Sequence, residues 1–254
     1  MGAGHAHALY VHEHSAVHRL PPHVKLVAGI AFVVAVAVTP REAVWAFAVD
    51  AVALLTVARV ARVRLRFVAV RLLVVVPFVA FAFALPFVGG GATVDVGGLA
   101  LSEEGLWAMA NILFKATLGA TTSILLAATT EVPRLLRGFE RLRAPRVLTA
   151  IAAFMLRYLE VVTGELRRMR TAMAARGHDP RWIWQVKPIA ASAGALFIRS
   201  YERGERVHAA MLARGFTGTM PELHRDAVTA AHWAGAAVLP SIAVLMAVAG
   251  WVVR

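Results

Sequence analysis

The sequence predicts an all-α, polytopic membrane protein with about five transmembrane helices and a long cytosolic helical segment. Three observations carry that prediction. Of the 254 residues, 59% are hydrophobic, above the roughly 45–50% of a soluble domain, and they fall in long blocks instead of one-sided stripes. Arginines crowd some of the intervening loops and are missing from others. Two long helical stretches in the basic part of the chain end in the same short pattern.

The first apolar block runs from Val24 to Val38. It is short against the ~20 residues that cross a bilayer. A histidine-rich polar tract precedes it and Pro40-Arg41-Glu42 follows, so it reads as a retained span and not as a cleaved signal. Ala43 to Ala58 is the second block. The third, Phe67 to Val88, carries Pro77 and Pro86, which membrane helices accommodate when neighbours satisfy the freed backbone groups. Leu106 to Ala128 is the fourth and Ala227 to Val253, with Pro240, the fifth.

Positive charge sets the orientation. The loop RVARVRLRF holds Arg59, Arg62, Arg64 and Arg66, whereas GGGATVDVGGLALSEEG holds no lysine or arginine. The first loop is then cytosolic and the second external. The amino terminus and the arginine-rich stretch from Glu131 to Asp226 follow on the cytosolic side. Three regions result: residues 1–130 with the histidine-rich start and four spans, 131–226 in the cytosol, and 227–254 as the last span.

The cytosolic stretch divides into three helices. In the first, Pro133 to Arg143, Leu135, Leu136, Phe139 and Leu142 face one way and Arg134, Arg137 and Arg141 the other, a pattern suited to a membrane surface. The second, about Leu148 to Arg176, carries Met155, Leu159, Val162, Leu166, Met169 and Met173 as a packing seam. The third, about Ile189 to Arg214, carries Phe197, Tyr201, Gly204, Val207 and Met211. The second ends Met173-Ala174-Ala175-Arg176-Gly177, the third Met211-Leu212-Ala213-Arg214-Gly215. Glycine alone would explain each helix stop. Two identical arginine-bearing tips on one chain point instead to docking into acidic grooves of a partner.

Paired Ala-Arg-Gly tips of this kind resemble those of the transmembrane T component of energy-coupling-factor transporters. The segments Ser15 to Leu26 (SAVHRLPPHVKL), Asn111 to Gly119 (NILFKATLG), Phe154 to Arg170 (FMLRYLEVVTGELRRMR) and Leu196 to Val207 (LFIRSYERGERV) are similar, in that order, to the cobalt-uptake branch called CbiQ. The resemblance implies an energy-coupling subunit of an ABC-type importer in the cell membrane, its three cytosolic helices acting as coupling helices. Ala175, Arg176, Gly177, Ala213, Arg214 and Gly215 would dock two CbiO-like ATPase subunits. A CbiM-like substrate-binding membrane subunit and a small accessory membrane subunit would complete the complex. ATP and Mg would sit on the ATPases, with no cofactor on this chain. Nickel or a vitamin are the alternative substrates.

Other chemistry is weakly supported. The net charge of +12 is spread between apolar blocks, which favours anionic lipid and acidic protein partners over nucleic acid. Without cysteine there is no disulfide, thiolate metal site or cysteine nucleophile. No Gly-x-x-x-x-Gly-Lys-Ser/Thr loop occurs, so ATP hydrolysis must come from elsewhere. A multispan membrane enzyme would need more intramembrane carboxylates than Asp50 alone. His5, His7, His12 and His14 are weak metal-ligand candidates, since no Asp or Cys cluster completes a site. Asp50 and Lys115 fall at equal expected depth, on the order of 10–14 Å below the external side at ~1.5 Å per residue, and are expected to form an intramembrane polar pair.

Overall fold

Pro21 and Pro22 start the first long helix where a missing N–H costs nothing, and Pro22 stands at its first position. The computed structural model describes residues 10–88, 90, 93–96, 99–177, 187–218 and 227–253. A single-turn helix, α1 (Ala16–Arg19), precedes α2 (Pro22–Val38). Then come α3 (Val44–Val60), α4 (Leu65–Arg71), a 3-10 turn at Leu72–Val75 and α5 (Val76–Val88). An antiparallel hairpin follows, β1 (Thr93–Val96) with β2 (Leu99–Ser102), in the register Thr93 to Ser102 and Val96 to Leu99. After it come α6 (Glu103–Thr129), α7 (Val132–Arg141), α8 (Arg146–Ala175), α9 (Lys187–Leu212) and α10 (Ala230–Val252).

The chain forms two compact units, one holding α8 and α9 and the other the remaining helices. In the larger unit α2 packs on α10, α6 and α7, while α6 also packs on α5. Phe32, Val36, Phe47, Leu54, Leu118, Leu125 and Ala243 form its core. Phe47 and Phe114 stack with centroids 5.5 Å apart. Gly105 lies so close to α5 that a Cβ there would sit 2.5 Å from the Leu85 carbonyl oxygen. Ser102 caps α6 by accepting from Gly105 N, and Glu103 and Glu104 in the first turn suit the positive end of its dipole. Outward-facing apolar side chains such as Leu73 and Phe81, both 65% exposed, make the surface that hydrocarbon covers.

The protein is a multi-pass, all-helical membrane protein whose one departure among the described residues is the hairpin. The sequence left that segment as an external loop. Four helices are long and apolar enough to span: Leu65–Phe87, Glu103–Thr129, Arg146–Ala175 and Ala230–Val252; Pro22–Val38 is shorter. The set differs from the five expected spans at three places, the first being Pro22–Val38, which at 17 residues is not among the four. The second block forms the 17-residue α3, about 26 Å long, and is not among the four. Arg146–Ala175, expected in the cytosol, qualifies by composition because apolar residues fill its first half, ahead of Arg167, Arg168 and Arg170.

Within the smaller unit α8 and α9 start and stop within two residues of expectation. They run antiparallel. Ser192 donates to the Met173 sulfur at 3.5 Å, Arg199 donates to Glu165 at 2.5 Å, and Val162 and Gly204 line one groove between them. The expected seams hold in part: Val162 and Met173 of α8 and Gly204, Val207 and Met211 of α9 lie at the contact. Phe154, Tyr158 and Val162 of α8 meet Ser200, Val207 and Met211 of α9, whereas Met155, Leu159, Phe197 and Tyr201 face outward. Each helix carries apolar residues on more than one side, so spacing alone could not choose the face that packs.

Candidate functional site

The two repeated endings fold alike. At the end of α8, Arg176 N donates to Met173 O at 3.1 Å and Gly177 N to Ala174 O at 3.0 Å. At the end of α9, Arg214 N donates to Met211 O at 3.0 Å and Gly215 N to Leu212 O at 2.9 Å. Phe216 N closes the second ending onto Met211 O at 3.0 Å. Gly177 and Gly215 take φ of +77° and +79°, the left-handed stop that a side chain would strain. Methionine at the first position of each pattern is half-buried, which anchors the turn, and arginine three residues later points outward.

Ala175, Arg176, Gly177, Ala213, Arg214 and Gly215 are all exposed. Neither arginine side chain has a hydrogen-bond or ion-pair partner among the described residues. Because the helices are antiparallel, the two tips stand at opposite ends of the pair. The 26 residues of α9 separate them by about 35–40 Å at ~1.5 Å per residue. The helix pair thus presents two separate guanidiniums, one at each end, neither of them partnered among the described residues. Glu165, gripped by Arg168 at 2.6 Å and by Arg199, ties the helices midway, and those guanidiniums hold its carboxyl below the usual range.

Asp50 and Lys115 do not pair. Asp50 is fully buried on the inner side of α3 and neither carboxylate oxygen has a hydrogen-bond partner. The Lys115 ammonium donates to the Ala37 carbonyl at 2.8 Å and lies 6.0 Å from the Phe47 ring centroid. Asp50 lies one turn beyond Phe47 on the buried side of α3, and it is Phe47 that stands beside Phe114 and Lys115. The double variant is therefore not expected to recover what the singles lose. Asp50→Asn has no donor to forfeit and should leave the yield of folded protein near wild type, while Lys115→Met should lower it. Recovery in Asp50→Asn/Lys115→Met above the sum of the singles would restore the pair.

Lys115 caps the carboxyl end of α2, and a second lysine returns the favour. Lys25, buried in the first turn of α2, donates to Thr129 O at 2.9 Å, Thr130 Oγ1 at 3.0 Å and His18 O at 3.4 Å. The antiparallel helices α2 and α6 thus each receive an ammonium from the other at their negative ends. Sequence reasoning passed over Lys25, because a lysine at the head of a span ordinarily reaches outward. The cluster also holds the amino-terminal segment: Val11 N donates to Ala128 O at 2.9 Å. His18 Nε2 contacts the Val11 carbonyl, which can only accept, so that nitrogen carries the proton and Nδ1 accepts from Ser15 Oγ at 2.8 Å. Burial pushes the His18 imidazole below its ordinary range.

His5 and His7 lie outside the described residues. His12 and His14 are exposed, His12 with its ring 4.7 Å from that of Tyr10. Among the described residues no three of His, Cys, Asp and Glu converge as a metal site would require.

The profile of a family described as cobalt transport protein, CbiQ, matches residues 13–224. The chain is 32% identical over 124 residues to the cobalt transport protein CbiQ of Rhodobacter capsulatus, covering 48% of this chain and 50% of that one. It is 30% identical over 225 residues to the energy-coupling factor transporter transmembrane protein EcfT of Bacillus selenitireducens, 82% of each chain. A fused cobalt transport protein, CbiMQ, of Methanocorpusculum labreanum is 26% identical over 145 residues, 55% of this chain and 24% of that one. The match thus spans half the length of the Rhodobacter relative and most of the Bacillus one.

Proposed function

This chain belongs to the CbiQ family of cobalt transport proteins, and we propose that it is the energy-coupling transmembrane subunit of an energy-coupling-factor importer that takes up cobalt ion. The observation that carries this reading is the pair of equivalent arginine caps at opposite ends of one antiparallel helix pair. Two CbiO-like ATPase subunits each receive one tip, Arg176 in one groove and Arg214 in the other. Their closing and opening on ATP and Mg displaces the helix pair that carries both tips. Forked hydrogen bonds from guanidinium to carboxylate give that contact direction as well as strength.

The movement passes to a CbiM-like substrate-binding subunit. The relative whose printed name joins M and Q in one chain supports that partner. So do the unpartnered apolar rows Val147, Ile151, Met155 and Leu159 on α8 and Phe197, Ile198 and Tyr201 on α9, each at least 41% exposed. The chain itself is non-catalytic. Cobalt is the reading favoured over nickel or a vitamin by the names of the relatives, and the metal is cargo handled by the other membrane subunit. Affinity purification of the full chain, co-expressed with the products of its neighbouring genes, should bring down two ATPase copies and a second membrane subunit. Recovery of the chain alone would sink the coupling role.

The protein lies in the cell membrane with its amino terminus in the cytosol. The native chain has no cysteine, so single-cysteine labelling has no background from this subunit. Thr93→Cys is expected to react with an impermeant thiol reagent in intact cells and Thr217→Cys only after lysis. The opposite result inverts the orientation.

A further inference from the structure

Helix α3 ends at Val60 and α4, the start of a segment long and apolar enough to span, begins at Leu65. The tight turn between them alternates in a revealing way. Ala61 and Val63 are buried, at 0% and 4% exposure, while Arg59, Arg62, Arg64 and Arg66 are all exposed. None of the four arginine side chains has a partner among the described residues. Arg62 stands at φ +57°, in the left-handed position of a helix stop closed by Val63 N to Ala58 O at 3.0 Å. Glycine fills that position at least cost, and Gly177 and Gly215 fill it at the two tips. Here an arginine stands instead, as Arg143 does at φ +65°, and the Arg62 side chain is turned out to the surface.

We propose that this turn binds the headgroups of anionic phospholipid, the four arginines taking the phosphates. The turn adjoins a spanning segment, so it sits at headgroup level. Val60 and Leu65, 51% and 42% exposed, stand among the arginines, and the exposed apolar row continues through Leu73 and Phe81 toward the membrane interior. An acidic soluble protein would meet the charges and leave that row uncovered; a phospholipid covers both with one molecule. The site rests on the multi-pass reading and not on the coupling role, so it is tested on this chain alone.

The test uses the full chain in phosphatidylcholine nanodiscs, with nitroxide-labelled phosphatidylglycerol or phosphatidylcholine as the probe. Phosphatidylglycerol is expected to associate at least several-fold more strongly, since each arginine near an anionic surface contributes about fivefold. Arg59→Gln/Arg62→Gln/Arg64→Gln/Arg66→Gln should bring the ratio close to one, and the corresponding quadruple lysine variant should keep most of the preference. Arg62→Gly should raise the unfolding temperature by relieving the left-handed residue, yet lower the preference roughly fivefold. Equal association of both probes with wild type, or a glutamine variant that keeps the preference, overturns the proposal. So does loss of the preference when inorganic phosphate replaces chloride at constant ionic strength, which would mark a site for free anions.

Discussion

Arg176→Glu and Arg214→Glu are each expected to abolish uptake while the chain reaches the membrane in normal amount. Both positions are exposed and neither side chain has a partner among the described residues, so little loss of folding is expected. In an acidic groove the substitution replaces forked bonds to carboxylates by like charges in contact, a loss of several kcal/mol where a rim charge would cost little. Uptake should fall by at least about 30-fold for each single variant, from a loss of ~2 kcal/mol or more at the docked site. With the tips at opposite ends of α8 and α9, each single variant should still hold one ATPase subunit. The double variant should hold none. Cobalt accumulation in cells and ATPase recovery with the purified chain read the two effects separately. Wild-type uptake by both single variants would refute the docking assignment. Arg→Lys at either tip keeps the charge but not the fork, and an intermediate uptake is expected.

Lys25→Met is expected to lower the stability of the protein more than any exposed substitution. The ammonium donates to Thr129 O, Thr130 Oγ1 and His18 O in a buried setting. Methionine fills the space but leaves three acceptors without a donor, at a cost of roughly 1–3 kcal/mol for a buried group left unsatisfied and more when several are. A total of about 2–5 kcal/mol is expected, enough to lower the unfolding temperature clearly in detergent. Thr130→Ala removes one acceptor and keeps the other two bonds, so its loss should be about 1 kcal/mol. A Lys25→Met protein that unfolds at the wild-type temperature would show that water or lipid supplies those bonds. The junction also adjoins α7, which α6 reaches within two residues and whose Gly138 lies against Pro22, His23 and Leu26 of α2. A loosened α2–α6 end should cost coupling beyond the loss in yield, seen as fewer cobalt ions accumulated per chain in the membrane.

The sequence by itself determined what depends on composition and on near neighbours in the chain. Long apolar blocks make membrane helices whatever surrounds them, because an unpaired backbone group has no solvent in hydrocarbon. The repeated endings were legible for a related reason: a helix stop is a local structure, set by glycine at one position and bonds to residues three to five earlier. The six tip residues therefore stand where their spacing put them. The short second block was legible as a helix, though at 17 residues it falls below the spanning class.

Only the tertiary structure decided which side of each helix meets which neighbour. Lys115 stands beside Phe47, one turn before Asp50 on the same buried side of α3, and turns to the Ala37 carbonyl, so Asp50 has no partner among the described residues. Lys25 reads as a flanking charge until α6, 104 residues away along the chain, brings Thr129 to it. Val162, Gly204, Val207 and Met211 meet as their spacing placed them, but Phe154 and Tyr158 stand at the contact where Met155 and Leu159 were expected, because α8 offers apolar residues on more than one side. The β1–β2 pairing likewise depends on bonds between segments, which no count of apolar residues records. Level along a helix follows from residue number at a fixed rise, whereas direction around it is fixed by packing, and packing is a property of two surfaces at once.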